Sequence, residues 1–144
     1  MAEINEKVNP AEVMEEITVH AATGPKNVIE IIDYNDIVEV AIAMKHSGYR
    51  LSQACAAYID DKFELSYSFA DDVNYAYKSL RLVIDTDTEV PSITEVVPSA
   101  VFYENEMKEI FGVRINMISL DYNNKLYRIN VENPLGPGGK DKED

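Results

Sequence analysis

Three consecutive runs of residues typical of β-strands lie near the middle of this chain, and they constrain its fold most strongly. They cover residues 50–59, 63–69 and 75–84 and are rich in aromatic and aliphatic side chains. The connections between them, Asp60-Asp61-Lys62 and Ala70-Asp71-Asp72, are short and polar. Connections of this length join neighbouring strands as hairpins. The sequence therefore predicts an antiparallel meander of three strands.

A strand and a helix are predicted before the meander. Residues 27–32 form a short β-branched run, which is typical of a strand. Residues 33–47 have the apolar periodicity of a helix, and either Asp33 or Asn35 is suited to be its N-cap. A further helix with one apolar side is predicted over residues 10–21.

This order of elements predicts an α+β fold with a mainly antiparallel sheet, arranged as strand, helix and meander, and with helices packed on one face. The end of the chain, residues 133–144, is rich in Pro and Gly and then charged, which is typical of a flexible tail. We therefore expect one domain over residues 1–130 and a tail over residues 131–144. A chain of 144 residues, of which 46% are hydrophobic, is long enough to build one core.

The charge of the chain excludes some classes of partner. The net charge is −13, from 26 acidic residues against 13 Lys and Arg. Such a chain lacks the basic footprint needed to bind nucleic acid or an anionic lipid surface directly. The acidic surface serves either solubility or docking against a basic partner. No run of about 18 apolar residues is present, so no transmembrane helix is expected. Residues 1–10 are polar, so no secretory signal is expected.

Cysteine and histidine, the residues that bind zinc and iron–sulfur clusters, are scarce. The chain has one cysteine, Cys55, and two histidines, His20 and His46. A single cysteine cannot supply an iron–sulfur or zinc site, and we expect Cys55 to be a small buried hydrophobic residue in a reducing compartment. The histidines lack the spacing of a metal site, so surface or helix-end positions are expected. We therefore predict no catalytic residue, no metal and no cofactor in this chain.

A helix is predicted after Pro98, with Ser99 as its N-cap and Gly112 as its end. At 100° per residue, an apolar stripe is expected to face the sheet, and it consists of Ala100, Tyr103, Met107, Ile110 and Phe111. Glu104 and Glu106 fall on opposite flanks of this stripe, so they cannot act as a catalytic pair. The acidic face is either an ordinary solvated surface or, since Phe102 lies among the carboxylates, a docking patch for a partner that carries arginine.

The segment VPSITEVVPSAVFYENEMKEIFGVRI resembles the signature of the 30-kDa subunit of respiratory complex I and of its relatives in membrane-bound hydrogenases. The positions that match the family pattern directly are Glu104, Glu106, Phe111 and Gly112. Other positions depart from the pattern: Glu109 replaces Asp, Val113 replaces Ile, Asn105 replaces Arg, residues 116–121 replace a Gly-His-Pro, and residues 126–129 keep only part of Leu-Arg-Arg-Ile.

The resemblance implies a non-catalytic subunit without a redox centre. The short length and the departures after Gly112 are similar to the corresponding subunit of energy-converting NiFe hydrogenases of the Ech or Mbh type. Such a subunit would hold the hydrogenase large subunit and the adjacent iron–sulfur subunits on the cytoplasmic face of the cell membrane, where ferredoxin reduces protons and ions are translocated. The alternatives are the 30-kDa subunit of an NADH- or quinone-linked complex I, with a 49-kDa-type partner, and a stand-alone acidic binding domain.

In this interpretation the chain meets the membrane only through its partner subunits and binds no nucleic acid. The residues expected at the partner interface are Phe102, Glu104, Glu106, Glu109 and Arg128. Ser99 and Gly112 are expected to be structural, since they begin and end the helix.

Overall fold

The computed structural model describes residues 27–141 of the chain. The predicted first helix over residues 10–21, together with His20, lies outside this range. The strands are β1 (Asn27–Ile31), β2 (Arg50–Ile59), β3 (Lys62–Asp71), β4 (Ala76–Asp85), β5 (Glu89–Pro91), β6 (Arg114–Asn116), β7 (Val131–Glu132) and β8 (Lys140–Asp141). The helices are α1 (Ile37–His46) and α2 (Val101–Glu106), with short 3-10 turns at Tyr34–Asp36 and Pro98–Ala100 and a π-helical turn at Met107–Phe111.

The predicted meander is confirmed. Strands β2, β3 and β4 pair antiparallel in succession, and β1 adds in parallel to β4, which gives the order β1-β4-β3-β2. The β2–β3 turn consists of Asp60 and Asp61 alone, both with positive φ (50° and 60°), because Lys62 already pairs with Ile59. Acidic residues tolerate this left-handed conformation, which suits a two-residue hairpin turn.

The helix before the meander also begins as predicted. The Asp33 carboxylate accepts a hydrogen bond from the backbone N–H of Asn35 at 2.9 Å. A 3-10 turn follows and leads directly into α1. Ile37, Ala41 and Met44 of α1 are buried, whereas Val40 on the same helix is only partly buried.

One hydrophobic core lies between the helices and one face of the sheet. Alternate residues of β3 and β4 provide the sheet side, and α1, α2 and the π-helical turn cover it. The prediction that Cys55 is buried is wrong, since its thiol is exposed. Its neighbour Ala54 faces the core, and successive side chains on a strand point to opposite faces. The sheet side of the core consists of Phe63, Leu65, Tyr67, Phe69, Leu80, Leu82 and Ile84.

The helix predicted between Pro98 and Gly112, which we call the late helix, is less regular than predicted, since it consists of a 3-10 turn, α2 and a π-helical turn. Ser99 is not its N-cap: it lies inside the Pro98–Ala100 turn, and α2 begins without a side-chain cap. Pro98 fixes a helical φ and has no N–H to satisfy, so the chain is already helical at Ser99. The end is as predicted, because Gly112 adopts the left-handed conformation at φ 79°. Strand β6 follows Gly112 and pairs in parallel with β5.

The segment predicted to be a tail meets the domain at the end of the π-helical turn. The N–H of Leu135 donates to the carbonyl of Ile110 at 3.0 Å. Gly136 packs so closely on the backbone of Phe111 that a Cβ added to it would lie 1.9 Å from the Phe111 carbonyl oxygen. Residues 133–136 therefore cover the carbonyl end of the late helix. None of the helices in the described range has both the length and the apolar character needed to cross a membrane.

Candidate partner-docking surface

The carboxylate of Glu104 is fully buried between α2, the sheet and the segment after β5. Its Oε1 accepts hydrogen bonds from the N–H of Ile93 at 2.9 Å and from the hydroxyl of Tyr67 at 3.3 Å. Its Oε2 accepts the hydroxyl proton of Ser92. These donors come from β3 and from the residues after β5, so one side chain joins three parts of the fold.

The donors around Glu104 are neutral, and this determines how the group titrates. Burial raises the pKa of the Glu104 carboxyl above its ordinary value, and the hydrogen bonds from Ile93, Ser92 and Tyr67 offset only part of that effect. Burial also raises the pKa of the Tyr67 hydroxyl well above its usual range, and the nearby carboxylate adds to the shift. Tyr67 therefore remains a donor at physiological pH.

The hydrogen bonds extend from Glu104 to the chain after β6. Because the hydroxyl proton of Ser92 goes to Glu104, the Thr94 hydroxyl donates to Ser92 across 2.7 Å. Thr94 Oγ1 in turn accepts the N–H of Ser119 at 2.9 Å. Thr94 is buried, and this relay fixes the beginning of the segment 117–128, which we call the long loop.

Two other polar residues of the late helix hold the rest of the long loop. The Asn105 amide donates to the carbonyl of Leu120 at 2.9 Å and accepts from the N–H of Tyr122 at 2.9 Å. Oε2 of Glu109 accepts from the N–H groups of Leu126 and Tyr127 at 2.9 and 3.1 Å. Both Asn105 and Glu109 are buried. The long loop has no regular secondary structure, so these side chains supply partners for its backbone in place of a sheet or helix.

Contacts nearer the surface complete this attachment. Lys108 forms an ion pair with Asp121, and this ion pair lowers the pKa of the Asp121 carboxyl. The hydroxyl of Tyr127 donates to Glu106 at 3.0 Å, and this bond raises the pKa of Tyr127. Together with the buried contacts, they attach the long loop to the late helix from Leu120 to Tyr127, and Thr94 holds the loop at Ser119.

The attached loop and α2 present large apolar side chains to solvent. The rings of Phe102 and Tyr122 stack with centroids 6.3 Å apart. Phe102 is 57% exposed, Leu120 54% and Tyr127 43%, far more than core residues of the same type. An open groove of about 540 Å³ lies beside them. Its lining residues are Leu51, Ser99, Phe102, Tyr103, Glu106, Leu126 and Tyr127. We call this groove, the exposed side chains Phe102, Leu120 and Tyr127, and the half-buried Tyr122 the docking surface.

The structure divides the five predicted interface residues. Phe102 and Glu106 are exposed and belong to the docking surface, and Arg128 is exposed at the end of the long loop. Glu104 and Glu109 are buried and accept hydrogen bonds from this chain itself, so the expectation that they meet a partner directly is corrected.

The helical wheel failed at these two glutamates for a physical reason. The wheel assumed one buried stripe of apolar residues, but the late helix is covered on two sides, by the sheet and by the long loop. The π-helical turn after Glu106 also changes the phase of the helix, and Glu109 lies within it. Nothing in the sequence near Leu120 or Tyr122 indicated that they belong to the docking surface. Their position beside α2 depends on the folding of the long loop.

Comparison with known proteins identifies the family. A model of the family described as respiratory-chain NADH dehydrogenase, 30 Kd subunit, matches residues 31–126. The chain belongs to this family. The 30-kDa subunit match covers strands β2 to β6, both helices and most of the long loop, so it extends well beyond the segment that carries the resemblance in sequence.

A solved structure has a similar fold. A chain in the membrane-bound sulfane sulfur reductase, an archaeal respiratory membrane complex, superposes with a TM-score of 0.62 at 18% identity, over 87% of this chain and 78% of that one. A search of the curated proteins found no match. Within the described range of this 30-kDa subunit homologue, no group of three or more His, Cys, Asp or Glu is arranged to hold a metal ion.

Proposed function

We propose that this 30-kDa subunit homologue is a non-catalytic, peripheral subunit of a membrane-bound, energy-converting NiFe hydrogenase related to complex I. The observation that carries the proposal is the docking surface, where Phe102 and Tyr127 line one groove and Phe102, Leu120 and Tyr127 are exposed. Exposed apolar clusters with aromatic anchors are typical of protein interfaces. In this proposal the surface meets the hydrogenase large subunit, and the adjacent iron–sulfur subunits complete the assembly.

The use of the acidic residues supports a scaffolding role. Glu104 and Glu109 accept hydrogen bonds from the chain itself: Glu104 holds the segment after β5, and Glu109 holds the backbone of Leu126 and Tyr127 beside the groove. An interface of this kind needs rigidity, since each side chain that is already ordered before binding costs less entropy on association. The polar residues therefore prepare a surface for binding.

The residues after Gly112 support the choice of a hydrogenase. In place of the Gly-His-Pro of the complex I pattern, the chain continues from β6 into the long loop, and Met117 has a positive φ of 62°. The loop is then held by Asn105, which stands where that pattern has Arg. The host complex in this proposal transfers electrons from ferredoxin to protons and translocates ions, while this subunit holds the large subunit above the membrane arm at the cytoplasmic face.

The experiment that tests the proposal begins with an affinity tag on this chain and the purification of its complex from detergent-solubilised membranes. The purified complex is assayed for ferredoxin-dependent hydrogen evolution, for NADH- or quinone-linked electron transfer and for reduction of sulfane sulfur. Hydrogen evolution, with the NiFe large subunit present, would support the proposal. Activity with quinone or with sulfane sulfur alone would move the subunit to another complex I relative. Recovery of the chain only as a soluble monomer would favour the alternative of a stand-alone acidic domain.

A further inference from the structure

Strand β2 has an open edge whose backbone groups can be assigned. It is the last strand in the sheet order and pairs with β3 alone in the described part of the chain. The two-residue turn makes Ile59 and Lys62 a hydrogen-bonded pair, and antiparallel pairs alternate along the ladder. Counted back from Ile59, every second residue (Ala57 and Cys55) bonds to β3. The N–H and C=O groups of the residues between them, Ala54, Ala56 and Tyr58, point away from β3.

One contact reaches the backbone of β2 from outside the sheet. At the bulge that precedes this stretch, the carbonyl of Ser52 accepts a hydrogen bond from the hydroxyl of Tyr103. Within the described residues, no backbone bond from another element reaches Ala54 or Ala56. These residues therefore present an unpaired row of donors and acceptors.

The edge also lacks the features that usually protect such a row. Natural edge strands are commonly short, charged or interrupted by proline. The ten-residue strand β2 has no charged residue or proline from Leu51 to Ile59, although 27% of the chain is charged. In the part of the chain that the structure describes, its protection is a bulge between Leu51 and Gln53. The opposite edge strand, β1, has five residues and carries Glu30 in an ion pair with Lys78. A long, uncharged edge needs a cover.

A groove runs beside this edge. It has a volume of about 240 Å³ and separates Ala54 and Ala56 from the late helix. Tyr103 and Glu106 line both this groove and the groove of the docking surface, so the two grooves are adjacent. The far wall is apolar, and it is formed by Met107, Ile110, Phe111 and Leu135.

We propose that β2 accepts an extended segment of a partner subunit as a fifth strand of the sheet. Strand addition of this kind uses the free backbone groups for affinity and the adjacent groove for alternate side chains. The segment carries small or apolar residues toward the groove and a Lys or Arg beside the exposed Glu106 carboxylate. A basic segment is favoured over a second copy of this chain, because two copies would each bring a net charge of −13. The inference rests on the proposed function.

Hydrogen exchange at individual amides tests the inference. In the isolated chain the outward N–H groups of Ala56 and Tyr58 should exchange rapidly, while those of Cys55 and Ala57 are protected by β3. In the purified membrane complex, exchange at Ala56 and Tyr58 should slow by about 100-fold or more, with little change at Cys55 and Ala57. Unchanged exchange at Ala56 in a complex that contains this chain would overturn the inference and leave the proposed function intact.

Proline substitutions provide a second readout. Proline is tolerated on an edge strand where its missing N–H faces outward. A56P should therefore leave the isolated chain folded, by circular dichroism, but lower its recovery with the complex at least about tenfold. C55P is the matched control, because it removes an internal sheet bond and should unfold the isolated chain. If A56P also unfolds, the exchange data on the natural sequence decide the question. Sedimentation of the isolated chain as a dimer with protected outward amides would assign the edge to a second copy and overturn the inference.

Discussion

The hydroxyl of Tyr67 on β3 lies 3.3 Å from Oε1 of Glu104 on α2 and donates a hydrogen bond to it across the core. Both residues are fully buried. Ile93 and Ser92 donate to the same carboxylate, so the negative charge is stabilised by dipoles. A buried polar group satisfied in this way is tolerable, but the loss of the shared acceptor leaves the N–H of Ile93 and the hydroxyl of Tyr67 without a partner.

The first prediction follows from this sharing. E104A should lower the free energy of unfolding by about 2–4 kcal/mol, because the N–H of Ile93 and the hydroxyls of Ser92 and Tyr67 all lose their acceptor in a dry site. Y67F removes only one of the donors and should cost about 1 kcal/mol. Urea denaturation followed by circular dichroism measures both values.

The control for this prediction is E106A. Glu106 is exposed and bonded only at the surface, so its removal should change the free energy of unfolding by less than about 1 kcal/mol. Equal effects of E104A and E106A would contradict the structural role assigned to Glu104. Such a result would instead restore the interpretation in which both glutamates are surface residues.

The second prediction concerns pH. The pKa of Glu104 is raised from 4.5 in the folded protein, mainly by burial, so the native state holds its proton more tightly than the unfolded chain does. The contribution of the protonated Glu104 carboxyl to the free energy of unfolding is therefore complete below pH 4.5, and it is lost as the pH rises through the pKa of Glu104 in the folded protein. The free energy of unfolding of the natural protein, minus that of E104Q, should fall as the pH rises above 4.5.

Other carboxylates have pKa values that are shifted in the opposite direction, and they do not interfere with this test. A hydrogen bond from the Asn74 side chain is the main cause that lowers the pKa of Asp71 from 3.8. A hydrogen bond from Arg50 lowers the pKa of Asp72 from the same value. Their contribution is lost only as the pH falls below 3.8, and it is common to the natural protein and E104Q. A difference between the two proteins that stays constant from pH 4.5 to pH 8 would refute the prediction.

The third prediction concerns the long loop. N105A should release Leu120 and Tyr122, and E109A should release the backbone of Leu126 and Tyr127, each at a cost of about 1–3 kcal/mol. Hydrogen exchange should accelerate at Tyr122 in N105A and at Leu126 and Tyr127 in E109A, while the strands stay protected.

A surface variant separates these effects from a general loss of stability. K108A removes the ion pair with Asp121, which is partly exposed, and should cost less than about 1 kcal/mol. Exchange that accelerates uniformly across β3 and β4 in N105A would argue against a local tether and for global destabilisation.

The sequence predicted the sheet well because its signals are local. The two-residue turn at Asp60 and Asp61, the cap at Asp33 and the left-handed end at Gly112 each depend on a few neighbouring residues. The burial of Glu104 could not be predicted in the same way. Its partners Tyr67 and Ser92 lie 37 and 12 residues away in sequence, so the position is decided by tertiary packing.

The candidate site was predicted only in part for a related reason. Phe102 was recognised because an aromatic ring among carboxylates is unusual on a helix surface. Its stacking partner Tyr122 lies on a loop without periodicity, and that loop is placed by Asn105 and Glu109 from beneath. A polar residue that supports a loop and a polar residue that contacts a partner look the same in the sequence, and only their burial in the structure distinguishes them.

The fourth prediction tests the docking surface. F102A should leave the fold intact but lower the amount of this chain that is recovered with its membrane complex, since aromatic anchors at interfaces often contribute about 2 kcal/mol or more to binding. V73A is the matched control, because Val73 is also an exposed apolar side chain but lies on the β3–β4 connection. Equal recovery of F102A and the natural chain would place the interface elsewhere.

The fifth prediction concerns the close approach of residues 133–136 to the late helix. G136A should destabilise the protein, because its Cβ would lie 1.9 Å from the carbonyl oxygen of Phe111, and the backbone must move and weaken the bond from Leu135 to Ile110. A loss of about 1–3 kcal/mol is expected from such a clash. G138A is the control, since it meets no atom within 4 Å and carries only the strain of a φ of +68°, about 1–2 kcal/mol. Because the clash is local, hydrogen exchange at Leu135 should increase in G136A and stay unchanged in G138A. The same exchange rate at Leu135 in both variants would show that this segment does not depend on its contact with the helix end.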